Sequence, residues 1–164
     1  MIKIVQSPDN ENSNDGVKLF IAGGISNCVN WQNELCYRLV NDKRLKTDIN
    51  IIVFNPRCKS IPEEEPQIKW EYEKLKKSNV ISFWFSDGST NPITLFEYGS
   101  HFKSKKTIVV GCHPEYIKIN NVIIQTKLVK PKLKVNENFE DFYNDLIDNL
   151  IIEISKYKIK NKLK

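Results

Sequence analysis

VISFWFSDGSTNPITLFEYGS, Val80–Ser100, is the stretch that decides how this chain folds. Its first six residues are almost continuously apolar, as in a strand covered on both faces. A polar loop, Ser86 to Asn91, follows. Asn91 is a good N-cap residue and Pro92 suits the first position of a helix, so a helix is expected over Ile93 to Lys103 with Leu95, Tyr98, Gly99 and Phe102 on one face. A strand leading through a short loop into a helix is half of a βαβ unit.

The same alternation continues in both directions. Val17–Ala22, Ile49–Phe54, Thr107–Gly111 and Val122–Gln125 are short β-branched or aromatic runs that read as strands. Between them lie helical spacings: Trp31, Leu35, Leu39 and Val40 share one face, and Ile68, Tyr72 and Leu75 another. The clearest runs from Phe139 through Phe142, Leu146 and Leu150 to Ile154, with Glu140 and Asp141 in its first turn. This pattern predicts an α/β fold, a doubly wound five-stranded parallel sheet of flavodoxin or Rossmann-like type with helices on both faces. Counting the Val17 run as first, the expected strand order is 2-1-3-4-5. Residues 1–16 read as a flexible arm, 17–155 as a single domain and 156–164 as a basic tail.

With 164 residues the chain is long enough for one ordinary domain. No apolar run approaches the length of a membrane span, and Met1 to Gln6 is too short and mixed for a signal peptide, so a cytoplasmic protein is expected. The net charge of +5 comes from Lys156, Lys158, Lys160, Lys162 and Lys164; without those five, 20 basic groups face 20 acids. A neutral body with a lysine tail lacks the clustered basic face of a nucleic-acid reader. Cys28, Cys36, Cys58 and Cys112 are too scattered for a zinc ribbon or redox pair, and His101 and His113 complete no metal spacing, so neither metal nor cofactor is expected.

In such a sheet, ligands sit beyond the carboxyl ends of the strands at the switch point, between the first and third strands. The loop there, Gly23-Gly24-Ile25-Ser26-Asn27, allows close backbone approach and offers a hydroxyl and an amide, but it also reads as a plain turn and cap before Trp31. It is not G-x-G-x-x-G, which argues against a dinucleotide site. Arg57, after the second strand, reads as an ordinary surface arginine or as a partner for an anionic or carbonyl group, and the Glu63 to Glu65 run beyond Ile61 and Pro62 reads as solvated. Glu71 falls between Ile68 and Leu75 along an apolar stripe, where a carboxylate must be paired, used, or snorkelling at the edge. Glu97, in the second turn of the capped helix, reads as a nucleophile or base, or as a Glu bonded to the neighbouring loop.

Five segments in order resemble the nucleoside 2-deoxyribosyltransferase family and the related deoxynucleoside 5'-monophosphate N-glycosidases. They are Leu19–Ser26 with Trp31-Gln32, Val53–Arg57, Gln67–Glu71, Val80–Phe85 and Phe96–Gly99, within Val17 to Tyr116. The resemblance implies a nucleophile at Glu97 that cleaves the N-glycosidic bond of a 2'-deoxynucleoside or deoxynucleotide, holds the deoxyribosyl group and passes it to another free base or to water. It implies a homodimer or larger homo-oligomer. Gly23, Gly24, Ser26, Asn27, Trp31 and Asn91 become candidates for binding sugar and base, and Trp70-Glu71 matches a family pair. Where relatives carry an Asp before the third strand, this chain has Asn79; an amide is no general acid, so the proton falls to Glu71 or Asp87, or the substrate needs little protonation. A nucleoside-binding module without turnover is the alternative reading. A receiver domain fits poorly, because the first strand ends in Ala22-Gly23-Gly24 with no acidic pair to hold a divalent cation.

Overall fold

The computed structural model describes residues 1–11, 13, 15–58 and 63–162. Ile61, Pro62 and Lys164 lie outside them. Six strands, β1 (Ile2–Gln6), β2 (Val17–Gly23), β3 (Ile51–Asn55), β4 (Val80–Phe85), β5 (Thr107–Cys112) and β6 (Val135–Asn136), form one parallel sheet in the order β1-β3-β2-β4-β5-β6. Five helices, α1 (Trp31–Asn41), α2 (Glu64–Lys77), α3 (Pro92–His101), α4 (Ile119–Val129) and α5 (Phe139–Lys162), cover it.

Alternate residues of each strand feed two cores, which explains the near-continuous apolar runs. On one face Leu19, Ile21, Val53 and Val109 pack against Trp31 and Leu35 of α1 and Phe142, Leu146 and Leu150 of α5. On the other, Phe20, Phe54, Phe83 and Val110 pack against Trp70 of α2, Tyr98 of α3 and Val122 of α4. Trp84 stacks on Phe142 at 5.2 Å, and Gly111 is glycine because a Cβ there would come within 2.5 Å of Trp84 and 2.7 Å of Phe142.

The class and the order of the four central strands are as expected; the sheet has six strands where five were expected. Val122–Gln125 is not a strand but the middle of α4, with Val122 and Thr126 buried one turn apart. Four apolar residues fit either period, and burial at a spacing of four wins here. The last strand is Val135–Asn136, too short to stand out, held by Asn136 donating to the carbonyl of Val110. Residues 1–16, expected as a flexible arm, begin with an edge strand, β1, paired to β3 from Ile2↔Ile51 to Gln6↔Asn55. Its alternating IKIV pattern is that of a strand with one wet face. The basic tail continues α5 as far as Lys162, with Lys156 paired to Glu153 and Lys158 to Asp48.

The α2 stripe also differs from expectation. Trp70, Lys74 and Leu75 are the buried residues, while Ile68 and Tyr72 are more than half exposed. That turns Ile68 and Glu71 away from the core, toward the cleft between α2 and α3.

Candidate active site

β2 ends between β3 and β4, and the chain crosses over it from one to the other through α2. This is the switch point, where loops on either side must diverge and leave a crevice. A cleft of about 600 Å³ opens there, within the size range of small-molecule sites. The β2 loop forms its floor, and α2 and α3 supply its walls.

The β2 loop is tied down by its own carbonyls. Trp31 Nε1 and Gln32 Nε2 both donate to the carbonyl of Gly24 at 3.0 Å, and Arg57 donates to Gln32 Oε1 at 3.1 Å and to the carbonyl of Ile25 at 3.0 Å. Arg57 therefore meets carbonyl groups rather than an anion. Gly24 is crowded: a Cβ would lie 2.0 Å from Asn91 Oδ1 and 2.7 Å from Ser86 Oγ. Asn91 caps α3 through backbone geometry alone, in the left-handed region at φ 47°, a region Asn enters more easily than most residues. Its Nδ2 donates to the carbonyls of Ser86 and Ser89, while its buried Oδ1 has no donor. Ser86 Oγ, beside the same glycine, is likewise buried without a partner among the described residues.

Glu97 from α3 and Glu71 from α2 line the same cleft. Burial, reinforced by the charge on Glu71, pushes Glu97 up to about 8. Glu71 is also raised by burial, an effect opposed by the hydrogen bond that Gln67 Nε2 donates to its Oε1 at 2.6 Å. Burial raises both carboxyl groups, and the charge of one adds to the rise of the other, so the two titrate as a coupled pair. Such a pair combines a nucleophile with an acid.

Of the expected site residues, Gly23, Gly24, Ser26, Asn91, Glu71 and Glu97 meet at this cleft. Trp31 lies under the loop, its ring filling the space a Cβ on Gly23 would need. Asn27 stands outside the lining, at φ 56° with its carbonyl against Gly88. Asn79 is not brought to the site. It precedes β4, and its Oδ1 accepts from the Lys18 backbone N–H at 2.8 Å, at the amino edge of the sheet. A six-residue strand separates that edge from the cleft by roughly 20 Å. Asp87 is likewise off the lining; with His113 and Glu115 it forms a cluster whose ligand atoms all lie within 4.8 Å of one another. The Glu115 N–H donates to His113 Nδ1, so the neutral ring keeps its proton on Nε2 and has no free lone pair for a cation. His101 Nδ1 lies 3.0 Å from the Glu97 carbonyl oxygen, not the carboxylate.

Sequence reasoning missed Gln67 as a site residue, although its i,i+4 spacing to Glu71 was the available signal. It also missed Thr94 and Ile93, which line the cleft from the first turn of α3.

A carboxylate pair in a cleft at the switch point of a doubly wound domain is an arrangement that glycosyl transfer or glycoside cleavage can use. The chain belongs to the nucleoside 2-deoxyribosyltransferase-like family, whose model matches residues 16–116 and so spans β2 through β5. That membership places it, at the coarse level, among glycosyltransferase-like and N-glycosidase-like enzymes. Comparison with curated proteins finds no match. Among the described residues no helix is long and apolar enough to cross a membrane.

Proposed function

We propose that the protein cleaves the N-glycosidic bond of 2'-deoxynucleosides, or of their 5'-monophosphates, through a deoxyribosyl group held on Glu97, and transfers that group to another base or to water. The observation that carries this reading is the pair of desolvated carboxyl groups, Glu97 and Glu71, in one cleft with the glycine loop.

Glu97, pushed up to about 8, holds the proton at rest; in the productive state that proton has passed to Glu71 and Glu97 is ionised. A Glu97 oxygen forms a bond to C1' as the C1'–N bond breaks; its electron pair leaves with the base, which takes the proton from Glu71. In the second half the incoming base or water bonds to C1', the ester bond to Glu97 breaks, and Glu71 takes a proton back from the newcomer. Splitting one displacement into two lowers each barrier, as in retaining glycosidases. Exposed Ile93 and Phe96, on α3 beside the cleft, favour coverage by a second copy of the chain.

The test is base exchange: a deoxynucleoside or its monophosphate is incubated with a second free base and followed by chromatography. Exchange or hydrolysis that disappears in Glu97→Ala, with a deoxyribosyl adduct on the Glu97 peptide by mass spectrometry, is the expected result. Tight nucleoside binding without any product across all four bases overturns it in favour of a binding module.

A further inference from the structure

The family match begins at residue 16, and β1 lies outside it. This added strand is stitched to the site. Past its end, the Ser7 backbone N–H donates to the carbonyl of Asn55 at 3.0 Å, and Gln6 Nε2 donates to the carbonyl of Arg57 at 2.6 Å. The following residues strap across α2: Trp70 Nε1 donates to the carbonyl of Asp9 at 2.8 Å, and Lys74 Nζ to Asn10 Oδ1 at 3.2 Å.

The strand delivers one side chain toward the carboxylate pair. Ser7 is 1% exposed, and its Oγ donates to Gln67 Oε1. Cys58 Sγ donates to the same oxygen at 2.9 Å. The other end of the amide, Nε2, donates to Glu71 Oε1 and to the carbonyl of Pro56 at 2.8 Å. An amide can present either its NH₂ or its oxygen to a neighbour, and which one decides whether it favours a carboxylate or a carboxylic acid. Two donors on its oxygen hold Gln67 with its NH₂ toward Glu71. Oε1 of Glu71 is then always an acceptor, and any proton on Glu71 sits on Oε2.

We propose that the N-terminal strand is part of the catalytic unit, and that Ser7 is a positioning residue which, through Gln67, fixes the oxygen of Glu71 that carries the proton and eases its release to the leaving base. This rests on the reading of Glu71 as the acid. The Gln67 hydrogen bond opposes the burial that raises Glu71, in keeping with that role. Besides Gln67, the titratable groups facing Glu71 around the cleft are Glu97 from α3, Glu64 from the first turn of α2 and Cys58 after β3; the described lining contains no basic side chain.

In Ser7→Ala the amide loses the stronger donor on its oxygen; Cys58 and the Pro56 carbonyl still keep its NH₂ toward Glu71, but it is held more loosely, so the hydrogen bond that favours ionised Glu71 weakens and the protonated acid gains. One neutral hydrogen bond corresponds to about a 3- to 10-fold change, or about 0.5 to 1 pH unit. The first experiment needs no activity: the Glu71 carboxyl is titrated by carbon NMR in the full chain and in Ser7→Ala, with Gln67→Leu as a second variant. An upward move of that size in both supports the proposal, and an unchanged titration overturns it. The second experiment is the pH profile of kcat. Its Glu71 limb is expected to move upward in Ser7→Ala, with kcat falling about 3- to 10-fold and KM nearly constant, and the effect is expected to vanish in a Glu71→Gln background. A loss in Ser7→Ala that persists in Glu71→Gln overturns the proposal, since it then reflects structure alone. If the wild-type chain shows no exchange or hydrolysis, the proposed function fails, and the carboxyl titration still decides the role of Ser7 in holding Glu71.

Discussion

Replacing Glu97 by Gln is expected to stabilise the protein at alkaline pH and to do little at acid pH. Burial and the neighbouring Glu71 lift Glu97 from 4.5 to about 8. In the unfolded chain the carboxyl ionises near its ordinary value, so between about 4.5 and 8 the native state holds a proton that the unfolded state has lost. Stability must then fall as pH rises through that window, by about 1.4 kcal/mol per pH unit, and level off above it. The full loss is about 5 kcal/mol, with burial contributing more than Glu71 does. Gln matches the protonated acid in shape and cannot ionise. At pH 5 the two proteins should therefore agree within about 1 kcal/mol. At pH 9 the variant should be several kcal/mol more stable, and in a chain of this size 5 kcal/mol is about 10 to 20 °C in Tm. Urea and thermal unfolding of both proteins from pH 5 to 9.5 measure the difference directly. A gap that stays constant with pH, or wild type gaining on the variant as pH rises, refutes the claim that Glu97 is held in a desolvated cleft.

Other perturbations probe the surroundings of the pair. Gly24→Ala puts a methyl 2.0 Å from Asn91 Oδ1; a loss of about 1 to 3 kcal/mol in unfolding experiments, with weaker nucleoside binding by calorimetry, is expected. Asn79→Asp keeps the acceptor for the Lys18 N–H at the far edge of the sheet, so kcat/KM should stay within about twofold of wild type where a general acid at the site would change it at least tenfold. Arg57→Met releases Gln32 and the Ile25 carbonyl; kcat/KM should fall about tenfold while Tm moves little, read by steady-state kinetics and melting. Phe96→Asp places a charge on an exposed aromatic beside the cleft and should lower the mass measured by sedimentation; a wild-type chain already monomeric at assay concentration would refute coverage by a second copy.

Much of the site was legible before the structure. Pro92 and Asn91 set the start of α3, and with it the height of Glu97 above the sheet. The glycine loop was legible because it follows an apolar run and therefore lies at a carboxyl edge. A residue before a parallel strand cannot share an end with residues after one, and Asn79, a candidate through the family resemblance alone, lies at the opposite edge by that rule. Glu71 was recognised as an anomaly on the wrong stripe: its helix buries Trp70, Lys74 and Leu75, and Lys74 is accommodated with its ammonium 5.4 Å from the Phe54 ring centroid. A buried lysine reads as polar in any periodicity, so the stripe reads as Ile68 and Tyr72 where the buried residues are Trp70 and Lys74, two positions on.

Local sequence alone determined the layered α/β architecture and the turn of helix that carries Glu97, because two-sided burial, strand-to-helix alternation and capping are properties of neighbouring residues. Tertiary structure alone decided that Glu71 shares a cleft with Glu97 and that Ser7 reaches Gln67. Helical spacing says which residues share a face but not which face of another element it will meet, and Ser7, just past β1 and 60 residues from Gln67 in the chain, meets α2 because β1 pairs with β3 while Trp70 of α2 packs on Phe54 of β3.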